Sequence, residues 1–241
     1  MDNIYYKSFD YFLTVSESFR RIVSGKKIDL DRILTLYNWS MVEKSQKEEA
    51  DHFQFATKGI NIVYAGNIGI HQGLSRLVPA MNMITAQNQN VFFHFFGDGT
   101  DFDLLKKEVR ENKNILLHGR VHSNEITKYL DASDFLFLHL INEPIYEHII
   151  PSKLQAYIEI GKPILGGIMG EARDFITRYE LGEVFESENQ NQFIQATQRL
   201  CDYSEEKIAN IRHRSKSLYE TNFSRSAGVE KLHQFMLKII E

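Results

Sequence analysis

One cysteine, four prolines and one tryptophan occur in 241 residues. The lone thiol, Cys201, excludes an intramolecular disulfide and a cysteine-built metal cluster, and it is compatible with a reducing compartment. So little proline argues against long disordered linkers. Charge of one sign is also lacking. A net charge of -4, from 28 Lys and Arg against 32 Asp and Glu, gives no global reason to bind nucleic acid, and no nucleic-acid partner is expected. The longest clean apolar run, near Phe135–Leu138, is far too short to span a membrane. The opening MDNIYYKSFDYFL has no long apolar core and does not read as a secretory signal. These absences predict a soluble protein, while uneven placement of the basic residues leaves peripheral contact with a membrane surface open. No fixed-period repeat and no low-complexity tract is present. What is there is ordinary: 43% apolar and 25% charged residues suit one large or two small globular domains.

From residue 60 onward the pattern becomes regular. NIVYAGN (61–67), VFFHFFGDG (91–99), NILLHGRV (114–121), FLFLHLI (135–141), PILGG (163–167) and GEVFE (182–186) read as strands. Between them, helical spacing covers 73–87, 101–112, 123–133, 151–161 and 171–180, and the rest of the chain to the C-terminus is helical. Ser123 heads an imperfect capping box, since Ile126 stands where Glu or Gln would complete it. Strands alternating with helices predict an α/β fold, a doubly wound parallel sheet covered on both faces. Ahead of this lie FDYFLTV (9–15), read as a buried strand, and SESFRRIVSG, a short helix capped by Ser16 and ended by Gly25. RILTLY (32–37) follows as another strand, and 43–58 reads as a linker or an exposed helix. The asparagine- and glutamine-rich clusters at 87–90 and 189–192 read as polar helix ends or loops.

Open parallel sheets bind ligands beyond the carboxyl ends of their strands, so the residues after each strand are the candidates for chemistry. Gly66-Asn67-Ile68-Gly69 follows the first of them. Its glycines permit close backbone approach, though the spacing matches neither the dinucleotide fingerprint nor a P-loop, and a tight strand-to-helix turn is the other reading. Gly97-Asp98-Gly99 suits a turn, with Asp98 as a turn-stabilising residue or a ligand acceptor. Arg120, after HG, suits either stacking and phosphate contact or a surface ion pair. His118 and His122 have the spacing of a metal pair, but across a strand end and a glycine turn rather than on a helix, and no metal site is expected. Pro151-Ser152-Lys153 opens a helix. Free backbone N–H groups, a hydroxyl and an ammonium converge there, a combination suited to a diphosphate, against the alternative of an ordinary helix start with a surface lysine. Glu171 starts the next helix, either favouring its positive end or accepting hydrogen bonds from sugar or ribose hydroxyls. Tyr157 and Ile158 read as core.

In order along the chain, GNIGIHQGL, FFGDGTD, HGRV, DASDFLFLHL and above all IPSKLQAYIEIGKPIL followed by GEA resemble the donor-binding half of a GT-B glycosyltransferase of the glycosyltransferase 4 type. The resemblance is to the bacterial transferases of O-antigen and capsule synthesis, including the N-acetyl-L-fucosamine transferases. Residues 9–39 resemble the end of that family's first domain. The resemblance implies a Rossmann-like domain over 59–241, with 1–58 the end of the N-terminal domain and a linker. It implies transfer of a sugar, from a UDP-sugar and with retention of configuration, to a surface-polysaccharide or lipid-linked glycan acceptor. It implies no cofactor and no metal, and a cytoplasmic or membrane-peripheral location at the inner face. The donor site it implies comprises Gly66, Asn67, Gly69, Gly97, Arg120, Val121, Pro151, Ser152, Lys153 and Glu171. Arg120 and Val121 would flank the base. Ser152 and Lys153 would hold the phosphates, and Glu171 the donor hydroxyls. No general base is assigned.

Two departures stand out. The family's paired glutamates would fall on His148 and Ala156, and its phosphate-binding arginine and lysine on Asn67 and Gln72. Most of the first domain, which carries the acceptor site, has no counterpart, so a second chain or a dimer completing the cleft is expected for catalysis. A non-catalytic nucleotide-sugar-binding or assembly subunit, or a truncated inactive fragment, is the alternative. A sugar-nucleotide epimerase of similar architecture would also need two domains.

Overall fold

The computed structural model describes residue 6 and residues 8–40 and 53–240. Its centre is a six-stranded, wholly parallel sheet. The strands are β3 (Ile60–Ala65), β4 (Val91–Phe96), β5 (Ile115–Gly119), β6 (Phe135–His139), β7 (Ile164–Gly167) and β8 (Gly182–Phe185), in the order β5-β4-β3-β6-β7-β8. The order reverses between β3 and β6, which pair only at Ile62↔Phe135 and Val63↔Leu136. Such a reversal opens a crevice at the carboxyl edge.

Near-continuous apolar strands require cover on both faces, and both are covered. On one side pack α2 (Val78–Gln87), α3 (Phe102–Glu108) and α7 (Gln190–Cys201), through Met81, Ile84, Leu105, Phe193 and Leu200. On the other pack α4 (Ser123–Ala132), α5 (Ser152–Ile160), α6 (Gly170–Arg178) and α8 (Glu205–Leu218), through Leu130, Leu154, Ile158, Ile176 and Leu218. Each such side chain, fully buried, contributes roughly 1.5–3 kcal/mol. This is the Rossmann-like α/β fold expected from the alternation of strands and helices.

The elements differ from expectation at their ends. Residues 101–112 hold a shorter helix, because after Glu108 the chain turns toward β5. The start of α4 is capped by His122 rather than Ser123, without a side-chain bond. Residues 43–52 lie outside the described residues, and 53–58 form no helix. The helical C-terminal stretch is interrupted by one π turn at Tyr219–Phe223 before α9 (Arg225–Ile240). The polar clusters do mark helix ends: α2 stops at Gln87, and the Asn189 side chain caps α7.

A second, two-stranded parallel sheet pairs β1 (Phe12–Thr14) with β2 (Ile33–Thr35). α1 (Glu17–Ser24) covers one face, where Phe12, Val23, Ile28 and Ile33 meet, and Ser16 caps it by accepting from the Phe19 N–H. The expectation of a buried strand over 9–15 is corrected here. Phe9, Tyr11, Leu13 and Val15 alternate along the segment and are 43–58% exposed. A period of two puts Tyr11, Leu13 and Val15 opposite Phe12 and Thr14, on a face that has no second helical layer among the described residues, while Phe9 precedes a bend and packs edge-on against Phe12. α9 gives partial cover, reaching back across the expected 58/59 division. Phe235 meets Tyr11 edge-on, and Gly228 lies against Trp39 and Leu36.

Candidate functional site

Three strand ends meet at the carboxyl edge beside the β3/β6 crevice. The Gly66 N–H donates to the Phe96 carbonyl (2.8 Å) and the Gly97 N–H to the Gly119 carbonyl (2.7 Å), so the ladder runs one residue past β3 and β4. Only glycine permits this approach. A Cβ on Gly97 (φ 139°) would stand 1.8 Å from the Gly66 carbonyl oxygen, and one on Gly66 (φ 128°) 2.5 Å from Lys153 Cε.

A cavity of about 790 Å³ opens over these ends, within the size range of small-molecule sites. Gly66, Asn67, Gly97, Arg120 and Val121 line it, five of the expected site residues. Phe96, Asp98, His122, Ser123 and Ile126 complete the wall. Asp98 also serves its turn, since its carboxylate accepts from the Gly99 N–H at 2.7 Å. α4 begins on this wall, so its positive helix end faces the cavity, although the Glu125 N–H already donates to the His122 carbonyl (3.0 Å). No carboxylate pairs with Arg120 among the described residues.

Lys153 does not itself line the cavity but lies against one of its wall residues, Gly66. Pro151 sits at the N-cap of α5 and Gly161 ends the helix in the left-handed conformation (φ 78°), which fixes a short, well-defined element. From its first turn the Lys153 side chain lies against Gly66, with the ammonium 4.7 Å from the Tyr64 ring centroid. Among the described residues no carboxylate pairs with it. Burial alone lowers its pKa to about 8. An anion at Gly66 would supply the missing counter-charge. Ser152, in that first turn, is exposed.

The loop after β3 is braced without charge. Gln72 Oε1 accepts from the Asn67 amide (2.9 Å) and the Gly69 N–H (3.1 Å). Asn67 and Gln72 are the two positions where the resemblance puts cations, and here they bond to each other.

Glu171 is placed apart from the cavity. It is 8% exposed, and its carboxylate accepts from the backbone N–H of Glu17 (2.9 Å) and Ser18 (2.7 Å), at the start of α1, and from the Tyr37 hydroxyl (3.3 Å). Burial and this neighbouring carboxylate hold Tyr37 protonated well above the usual phenol range. His148 ties to the same helix start: its Nδ1 meets Ser18 Oγ at 2.6 Å, and its carbonyl accepts from Ser16 Oγ at 2.8 Å.

His118 turns to His94 (3.0 Å), not toward His122, and its ring stacks on Phe96 with centroids 4.2 Å apart. The Asn61 amide donates to Gly59 and Asp134, so Asn61 Oδ1 is an acceptor. His94 therefore carries its proton on Nε2, toward Asn61, and accepts at Nδ1 from His118. Burial, and His118 beside it, lower the His94 pKa to about 4. The sequence does not mark Phe96 or the start of α4 as cavity wall. A phenylalanine in an apolar strand carries no mark distinguishing wall from core.

A family profile, Glycosyl transferases group 1, matches residues 45–217. Among proteins of curated function none matches the chain. Solved structures share the fold. A glycosyltransferase from Rickettsia africae has a TM-score of 0.76 at 14% identity, over all of this chain and 68% of that one. HepE of Anabaena, solved with UDP, has a TM-score of 0.74 at 12% identity, over 95% of this chain and 63% of that one. TarM of S. aureus, in a complex that includes UDP, has a TM-score of 0.71 at 16% identity, over 95% of this chain and 44% of that one. The chain thus spans between about half and two thirds of the length of these proteins.

Proposed function

Because the chain belongs to the glycosyl transferases group 1 family, we propose that it is the donor-binding part of a glycosyltransferase that transfers a sugar from a UDP-sugar to a glycan or lipid-linked acceptor. The observation that carries this is Lys153, a cation without a carboxylate partner among the described residues, held against Gly66 beside a cavity of suitable size. Arg120 and Val121 flank the base. The nucleotide diphosphate lies over Gly66, against Lys153 and the start of α5 that carries it. When the sugar leaves, the negative charge that grows on the diphosphate meets groups already in place, which stabilises the departing group without reorganisation. Transfer proceeds with retention, in a cleft completed by a second unit that brings the acceptor. That O-GlcNAc transferase GtfA of pneumococcus was solved with UDP and GlcNAc, on the same fold, supports a nucleotide-sugar donor.

A second reading has its own observation. The Asn67–Gln72 pair leaves the loop after β3 without positive charge, which favours a subunit that binds nucleotide sugar without turning it over.

Calorimetric titration with UDP and GDP tests the site. UDP binds more tightly than GDP, and Lys153→Ala weakens it by about 1.5–3 kcal/mol, the worth of one hydrogen bond to a charged group. An unchanged affinity in that variant removes Lys153 from the site. Binding with no transfer, even with an acceptor-bearing partner present, decides for the second reading.

A further inference from the structure

We propose that Tyr157 is a positioning residue for Lys153: its hydroxyl substitutes for a missing rung between β3 and β6 and thereby sets how α5 enters the crevice. The inference rests on the reading of Lys153 as a diphosphate ligand.

β3 and β6 pair at two registers and then part. β3 continues with β4, Ala65 opposite Phe96, and β6 with β7, Leu138 opposite Gly166. In the gap the Ala65 N–H donates to the Tyr157 hydroxyl oxygen (3.2 Å), and the Tyr157 hydroxyl donates to the Phe137 carbonyl (3.2 Å). Two backbone groups that would otherwise be buried unpaired are satisfied by one side chain from the overlying helix. Tyr157 is 1% exposed. It stands four residues after Lys153, on the same face of α5. One residue past the bonded Ala65 comes Gly66, against which Lys153 lies. The hydroxyl therefore fixes the strand that carries Gly66 and the helix that carries Lys153 in one contact. The titratable side chain shown against Lys153 is Tyr64, from β3, which Tyr157 neighbours in turn, and burial keeps both hydroxyls protonated.

The test compares Tyr157→Phe with Ile158→Val, a substitution at the next buried position of the same helix. UDP is the probe, and the rate of Lys153 acylation against pH, followed by mass spectrometry without ligand, is the second readout. In Tyr157→Phe, UDP affinity falls about tenfold, and the midpoint of Lys153 acylation rises toward that of an ordinary lysine as α5 loosens. Ile158→Val lowers the melting temperature without moving either. A Tyr157→Phe chain that melts earlier yet keeps the wild-type acylation midpoint overturns the proposal, since the hydroxyl is then merely structural. Should UDP not bind the wild type, the donor-site reading fails on its own, and the acylation profile still decides the role of Tyr157. If Tyr157→Phe does not fold, 3-fluorotyrosine at 157 keeps the ring and weakens the hydroxyl as an acceptor. A smaller rise of the midpoint supports the proposal, and no change overturns it.

Discussion

Both sheets of this chain are parallel, and they are held in opposite ways. In the six-stranded sheet Phe93, Phe137 and Leu165 are at most 1% exposed, between two helical layers. In the two-stranded sheet Leu13 is 56% exposed, one face has α1, and the other has, among the described residues, only the passing contact of α9. Parallel strands need both faces covered. The large sheet has that cover from its own crossover helices. The small one lacks it, and it is attached by polar ties, Glu171 on the Glu17 and Ser18 N–H groups, His148 on Ser18 and the His148 carbonyl on Ser16, together with ring contacts of Tyr37 on Phe175 and Phe223 and of Phe19 on His148. A large apolar core tolerates loss of one contact. An element held by a few hydrogen bonds and ring contacts is more sensitive to each.

The largest effect expected from this contrast comes from glycine. Gly97→Ala, in the large sheet, drives a methyl into the Gly66 carbonyl at a φ that alanine avoids, and costs on the order of 3 kcal/mol. Gly25→Ala, at the end of α1, has φ -61° and no backbone atom closer than 3.4 Å to the new methyl. It changes stability by no more than about 0.5 kcal/mol, toward stabilisation. Urea denaturation of the two variants measures both. Equal costs would mean that the small region is packed as tightly as the large one.

Next in size is the tie itself. Glu171→Ala leaves two N–H groups at the start of α1 and the Tyr37 hydroxyl without their acceptor, at a cost of about 2 kcal/mol. The loss is local. Amide hydrogen exchange speeds up across Glu17–Ser24, while the amides of β3, β4 and β6 keep their protection. Uniform acceleration throughout would show that the two regions unfold together.

A third effect belongs to the large region alone. With the Lys153 pKa lowered to about 8 by burial, an anion bound beside it raises that value, so binding takes up a proton above pH 8. UDP affinity is then full below pH 8 and falls as pH rises, by about tenfold between pH 7 and pH 9. Lys153→Ala flattens the profile. For the ligand-free fold the sign is reversed. The unfolded chain holds this proton more tightly, so stability rises with pH from about 8 toward the ordinary lysine range.

How far the sequence predicts each region follows the same divide. Six apolar strands and their helices were readable because burial on both faces writes continuous apolar runs, and Pro151 and Gly161 bracket α5 by backbone preference alone. Five cavity-lining residues were readable because glycines and Arg120 follow strand ends. The exposed face of β1 was not, since Phe9, Tyr11, Leu13 and Val15 look the same whether covered or bare. Glu171 was legible as a helix-start carboxylate, but the N–H groups it meets lie more than 150 positions away in the chain. The Tyr157 bridge depends on where two strands part, a fact of topology that no local pattern carries.

The smallest expected change in stability tests the bare face directly. Leu13→Lys alters a side chain already 56% exposed, so stability moves by no more than about 0.5 kcal/mol. Its effect on association is another matter. Tyr11, Leu13 and Val15, exposed along one face of an edge strand, invite contact with another surface. Sedimentation velocity over a wide concentration range therefore finds the wild type self-associating and Leu13→Lys monomeric. A cation in the middle of the stripe must be desolvated for the face to close against anything apolar, and that cost exceeds what the remaining two residues return. If both chains sediment as monomers at every concentration, the partial cover from α9 is sufficient, and the small sheet is complete as it stands.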